Sequence, residues 1–283
     1  MHIVFDIGGT KMRLAGVRDL AVFGQPVIVD TPKDFRAGFA LLVEMIKELS
    51  EGEKIEMIAG GIAGPVDKET GTLLASPNLA GWIGQPLKTL LAEEFSAKCF
   101  IRNDTAMVGL GETVAGAGRG GEIVAYITVS TGVGGARIVH RRIDETVFGF
   151  EPGHQIINLA DWHDGEGHNG HLDSYISGQA VTARFGKKPY LVTDPAVWQE
   201  AAQKLAAGLY NTILHWSPDI LVVGGSMMKQ PGIDLAVVHE ELKKLMRIFP
   251  ALPDIRPAIL GDFGGLHGAR YFLAEENRVG GEK

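Results

Sequence analysis

Short runs of β-branched residues alternate along this chain with longer stretches whose apolar residues recur every three or four positions. His2 to Ile7 predicts a strand, Gly8 and Gly9 mark a turn, and Met12 to Val17 predicts a second strand pairing back as a hairpin. Thr31 and Pro32 read as a helix start, and Phe35, Phe39, Leu42, Val43, Ile46 and Leu49 then line one helical face. Met57 to Ile62 and Cys99 to Arg102 predict strands flanking a helix that carries Leu87, Leu90, Leu91 and Phe95. Alternating strands and helices predict an α/β lobe.

The pattern starts again after the glycines of 116–121. Ile123 to Val129 and Gly134 to Val139 predict another strand, glycine turn and strand. Asp194 and Pro195 have the chemistry of a cap and a first helical residue, and Trp198, Ala202, Leu205, Leu209, Ile213 and Leu214 follow at helical spacing until Pro218. Ile220 to Val223 predicts a strand ending on Gly224 and Gly225, and a last helix spans about 266–278. Two related lobes are expected, residues 1–115 and 116–283.

Bulk properties narrow the function. A chain of 283 residues suits two domains. The net charge of -7 comes from interspersed acids and bases, so no basic face for nucleic acid is expected. Cys99 is the single cysteine and the N-terminus lacks a charged-then-apolar leader, which together point to a reducing cytoplasm. No apolar run reaches the roughly 18 residues of a spanning helix, so no membrane role is expected.

The chemistry lies in the glycine clusters and the residues beside them. Gly116, Gly118 and Gly121 have dinucleotide-binding spacing but precede a strand instead of following one, which favours a linker or hinge. No G-x-x-x-x-G-K-[ST] is present. Asp6, Gly8, Gly9, Thr10 and Lys11 instead form a turn that can aim N–H groups and a hydroxyl at phosphate, with the Asp6 carboxylate facing a hydrated Mg2+. Thr131, Gly132, Gly134 and Gly135 offer a second such turn; plain tight β-turns are the alternative for both. Gly224, Gly225 and Ser226 suit either close approach of an adenosine or a plain helix start. Asn103 and Asp104 sit where a strand gives way to a helix, and Asp104 is placed equally to cap that helix and to react. Asn78 and Trp82 share a loop suited to a polyhydroxylated ligand, unless Trp82 is buried against the lobe. Glu151 and His154 form a polar cluster after Phe148 and Phe150.

Taken in order, D-I-G-G-T-K at Asp6 to Lys11, G-P-V-D at Gly64 to Asp67, P-N-L-A-G-W at Pro77 to Trp82, Asn103-Asp104 with L-G-E at 110–112, Thr131 to Gly135, and E-P-G-H at Glu151 to His154 resemble the motifs of the ROK family. This is the repressor, open reading frame and kinase group. The resemblance spans nearly the whole chain. It implies a two-lobed, actin-like (hexokinase- and actin-type) ATPase fold whose last helix crosses back onto the first lobe. It further implies ATP and Mg2+, a hexose substrate, phosphorylation most often at C6 of glucose, a homodimer, and Asp104 as the base. Asn78, Asn103, Glu151, His154 and Asp173 would bind the sugar. Fructose, mannose, allose or an N-acetylhexosamine stay open as substrates, as does a non-catalytic sugar-binding regulator; the intact D-I-G-G-T-K and Asp104 favour an enzyme. The family's C-x-C-G-x-x-G-C-L-E zinc motif is replaced by residues 164–173, with Asp164, Glu166 and His171 at the cysteine positions and Asp173 where a sugar-contacting glutamate is usual. Zinc is therefore not expected, although histidines and carboxylates can also form a harder site. Ala106 stands where many members have asparagine, and no helix-turn-helix precedes Asp6.

Overall fold

The computed structural model of the chain describes residues 1–144, 146–161 and 170–281. The chain divides into two compact units. One comprises Met1–Ala115, Glu145–Gly149 and Asp262–Lys283, and the other Gly116–Asp144 and Phe150–Gly261.

In the first unit the elements run β1 (His2–Ile7), β2 (Lys11–Val17), β3 (Val27–Asp30), α1 (Phe35–Ser50), β4 (Met57–Ile62), α2 (Leu87–Phe95), β5 (Lys98–Asn103) and α3 (Asp104–Ala115). The sheet order is β3-β2-β1-β4-β5. The β1–β2 hairpin is antiparallel with Ile7 opposite Met12, while β4 and β5 run parallel to β1. Burial on both faces explains why β1 and β4 read as largely apolar runs without polar alternation, Asp6 being a buried exception near the end of β1. Phe5, Leu14, Leu42, Ile46, Ile58 and Trp82 lie in one core. Each such side chain contributes about 1.5–3 kcal/mol through apolar burial.

Helix α1 begins three residues later than the Thr31-Pro32 signal suggests. Asp34 is its cap, accepting a hydrogen bond from the Ala37 amide at 2.9 Å.

The second unit contains β6 (Ile123–Val129), β7 (Val133–Val139), β8 (Arg142–Ile143), α4 (Asp173–Ile176), α5 (Gly178–Phe185), α6 (Pro195–Trp216), β9 (Ile220–Gly224), α7 (Leu235–Leu245) and β10 (Asp254–Pro257). Its order, β10-β9-β6-β7-β8, is the first sheet's order with β6 in the place of β1. In each unit a hairpin extends the sheet on one side of a central strand and two parallel strands extend it on the other. The longest helix here, α6, has Asp194 as cap and Pro195 in its first turn, and buries Trp198, Ala202, Leu205, Leu209 and Ile213.

The chain closes with α8 (Gly264–Gly281), which belongs to the first unit and packs on α3. Glycines let the two backbones meet. A Cβ on Gly268 would lie 1.8 Å from the Met107 carbonyl oxygen, and one on Gly111 2.1 Å from that of Gly264. Among the described residues no helix is long and apolar enough to cross a membrane.

Candidate active site

In the first unit, β5 delivers Asn103 and Asp104 to the start of α3. Asn103 does the capping: its Oδ1 accepts from the Ala106 amide at 3.0 Å, and its Nδ2 donates to the Gly64 carbonyl at 3.0 Å. One donor and one acceptor of that amide are thereby committed to the fold. Asp104 Oδ1 accepts from the Thr105 amide at 2.8 Å, while Oδ2 has no hydrogen bond among the described residues. Gly61 makes room for Asp104, since a Cβ there would sit 2.7 Å from the Asp104 Cα.

Asp6 is the penultimate residue of the central strand and lies beside Asp104. Burial, then the charge of Asp104, pushes its carboxyl up to about 7, with Arg13 pulling down and Asp262 adding to the rise. Burial likewise raises Asp104, against the Thr105 hydrogen bonds. Arg13 reaches Asp6 at 3.6 Å and Asp262 at 3.7 Å, and a Cβ on Gly265, in the first turn of α8, would lie 3.0 Å from Asp6 Cγ. Two carboxylates, Asp6 and Asp262, thus share one guanidinium, and Asp104 lies beside the first of them. Neither Arg13 nor Asp262 carries a local motif, and the sequence reading missed both.

The turn at residues 8–10 has its three carbonyls occupied, while among the described residues only its Gly8 amide is bonded, to the Lys11 carbonyl at 2.9 Å. Gly8, Gly9 and Thr10 accept through their carbonyls from Thr31 Oγ1, Lys33 Nζ and the Thr31 amide at 2.7, 2.6 and 2.9 Å. Among the described residues the Gly9 and Thr10 amides have no acceptor. Lys11 pairs with Asp30 at 2.6 Å on the exposed side of the β2–β3 pair. Asn78 packs against the turn, whereas Trp82 is buried at 1 % exposure and donates to the Pro32 carbonyl at 2.9 Å. The indole is part of the core and not a ligand-facing group.

In the second unit the turn at 130–132 is built similarly. The Ser130 and Thr131 carbonyls accept from the Gly178 and Gln179 amides of α5 at 2.7 and 3.1 Å, and the Thr131 and Gly132 amides have no acceptor among the described residues. Asp173 Oδ1 accepts from the Val133 amide at 2.6 Å. The turn with Glu151, Pro152, Gly153 and His154 lies against β7, where a Cβ on Gly153 would meet the Val133 carbonyl oxygen at 2.2 Å. Glu151 and His154 are exposed, and the His154 ring stands edge-on to His171 at 5.6 Å. A cavity of about 750 Å³ opens beside the turn, lined by Thr131, Gln179, Tyr190, Ser226 and Met227 among others. Gly225, at φ 103°, leads from β9 into the short Ser226–Met228 helical turn at that cavity. Gly224 lies against Tyr126 and Ala258 at the end of β9. Of the replaced zinc motif, residues 164–169, which include Asp164 and Glu166, lie outside the described residues.

The sequence pattern of the ROK family matches residues 2–276. The chain belongs to the ROK family. A ROK hexokinase from Thermus thermophilus has a crystal structure similar to this one at a TM-score of 0.81, with 26 % identity over 97 % of this chain and 99 % of its own. A ROK family glucokinase from Streptomyces griseus, solved in complex with glucose and AMPPNP, matches with a TM-score of 0.76 and 25 % identity, covering 96 % of this chain and 98 % of that one. A glucokinase from Thermotoga maritima is 26 % identical over 98 % of this chain and 97 % of its own length. The fold is accordingly the actin-like ATPase fold of the ROK hexokinases.

Proposed function

We propose that this ROK protein transfers the γ-phosphoryl group of ATP to a hexose hydroxyl, most often C6 of glucose or a related hexose, with Asp104 as the general base. Its class is ATP-dependent sugar kinase. The observation that supports Asp104 is the division of labour at the start of α3: Asn103 takes the cap, so Asp104 Oδ2 is left without a structural duty. Burial raises the Asp104 carboxyl, which brings it nearer the proton affinity a base needs at neutral pH.

The reaction then follows from charge and geometry. The hydroxyl oxygen forms a bond to the γ-phosphorus as the bridging P–O bond breaks and ADP departs with the electron pair. The hydroxyl proton passes to Asp104 Oδ2. The open amides of Gly9 and Thr10, and those of Thr131 and Gly132, are suited to phosphate oxygens. The second-unit cavity suits the nucleoside.

The residues present fit Mg2+. Asp6 is a buried oxygen donor raised to about 7 by burial and Asp104, and a hard cation suits such a donor. No group of three metal-ligating side chains occurs among the described residues, so the protein would supply part of the shell and phosphate and water the rest. The cation would neutralise charge on the transferring phosphoryl group.

Asn78, Asn103, Glu151, His154 and Asp173 are the proposed sugar contacts, and a cytoplasmic homodimer remains part of this reading. Asp173 reaches less far than a glutamate, which favours a shifted hexose preference. ADP formation measured against a panel of hexoses tests the proposal. ADP released with at least one hexose, and not without sugar, is the expected result; no turnover with any hexose would remove it.

A further inference from the structure

Residues 31–33 touch both parts of the first unit's site. They satisfy three successive carbonyls of the turn at 8–10, and they also hold the loop at 77–82. Lys33 Nζ donates to the Gly9 carbonyl at 2.6 Å and to the Asn78 carbonyl at 3.0 Å, so one ammonium ties the two together. Pro32 accepts from the Trp82 indole in the same loop. The fit is close on both sides: a Cβ on Gly9 would lie 2.4 Å from the Asn78 Cβ, and one on Gly81 2.3 Å from the Lys33 carbonyl oxygen.

The direction of those bonds matters. In a trans peptide the C=O and the following N–H point opposite ways in one plane. A donor fixed on the Gly9 carbonyl therefore fixes the Thr10 amide, and one on the Gly8 carbonyl fixes that of Gly9. These are the two amides with no acceptor among the described residues. Thr31 sets the Gly9 amide from a neighbouring strand end. Lys33 sets the Thr10 amide and at the same time anchors the Asn78 main chain.

We propose that Lys33 is a positioning residue for phosphoryl transfer, holding the Thr10 amide and the Asn78 loop in one register so that donor phosphate and acceptor hydroxyl align. The proposal rests on the reading of the turn as a phosphate site and the loop as a sugar site. Misplacement by about 1 Å can slow a reaction on the order of a hundredfold. An interaction of this kind acts on turnover more than on the binding of either ligand alone.

Lys33→Met and Lys33→Arg are compared with the wild type by saturating kinetics, by calorimetry with hexose and with AMPPNP separately, and by amide hydrogen exchange. Lys33→Met should lose about 10- to 100-fold in kcat. Each ligand alone should bind as it does to the wild type, and exchange should rise together at the hydrogen-bonded amides of Gly8 in the turn and Trp82 in the loop while β1 stays protected. Lys33→Arg should recover part of the turnover, because a guanidinium can also donate to two carbonyls. Selective loss of AMPPNP affinity would mean a direct phosphate contact and would overturn the proposal. Unchanged kcat, or faster exchange in one segment only, would do the same. If the wild type phosphorylates no hexose, the functional reading fails, and the exchange data still decide whether Lys33 couples the two segments.

Discussion

The turns at residues 8–10 and 130–132 close hairpins of the same kind, each beside the central strand of its sheet, yet they are held by different means. In the first unit two side-chain donors, Thr31 and Lys33, and one amide secure the turn carbonyls. In the second, the N-terminal amides of α5 do so, and the Asp173 carboxylate takes the Val133 amide. The carboxylates differ as well. Asp6 and Asp104 are raised by burial, and Asp104 keeps an oxygen uncommitted, whereas Asp173 spends one on the backbone. A turn held by main chain resists single substitutions, while one held by side chains can be loosened one residue at a time. On the proposed function, the first unit would carry the reacting groups and the second a more steadily held turn.

The largest effect should come from Asp104→Asn, which tests whether the reacting carboxylate belongs to the first unit. Turnover is expected to fall by about 10² to 10⁴ while hexose binding by calorimetry persists. Wild-type turnover in a folded variant would end the asymmetry.

Asp6→Asn and Thr10→Val should each impair nucleotide use more than hexose binding, by about 10²-fold in kcat where a charge-stabilising contact is lost. Asp6→Asn has a second, opposite consequence. With its carboxyl at about 7 instead of 3.8, native Asp6 binds a proton more readily than the unfolded chain does, so its contribution to stability is complete below 3.8 and lost as pH rises through about 7. Asparagine cannot ionise, so in magnesium-free buffer the variant should melt at a higher temperature than the wild type at pH 8, with the gap closing near pH 4. Thermal unfolding followed across pH measures this directly.

Asp173→Ala sharpens the other half of the comparison. Loss of the acceptor for the Val133 amide should destabilise the protein by about 1–3 kcal/mol and weaken nucleotide binding. Hexose affinity should fall as well if Asp173 is also a sugar contact; a variant that lost hexose affinity alone would show that Asp173 does not support the turn.

The smallest expected effect is that of zinc removal. With Asp164, Glu166 and His171 where the family has thiolates, we expect no structural zinc. Elemental analysis of protein purified without chelator should find traces only. Near-stoichiometric zinc, lost with hexose binding on replacing His154 or His171, would show instead that the second unit is metal-stapled.

The sheets were legible in the sequence because several strands are largely apolar runs followed by glycine pairs, as at Ile7-Gly8-Gly9 in β1 and Val223-Gly224-Gly225 in β9. The short edge strand β3 was missed: Val27 and Ile28 are exposed, and four residues carry too little periodicity to register. Thr31 and Pro32 look like a helix start from composition alone, and their actual work, bonding to residues 8, 10 and 82, is long-range. Trp82 reads the same in sequence whether it faces ligand or core. Arg13 stands opposite Asp6 in the hairpin, but Asp262, the other carboxylate that Arg13 reaches, lies about 250 positions away, so nothing local could announce it.

The return of α8 to the first unit has a bearing on how the chain is made. During synthesis β1 emerges before the second unit, but the helix that packs on α3 and lies against Asp6 is translated after it. The second unit has nearly all its sequence available before residue 262 leaves the ribosome. The first must wait with its strands formed but one face bare, and its completion requires closing a loop of roughly 250 residues, a step whose entropy grows only with the logarithm of that length. The unit that carries Asp104 is therefore begun before the second unit and completed after it, and a chain stalled before residue 264 lacks the α8 turn that lies against Asp6.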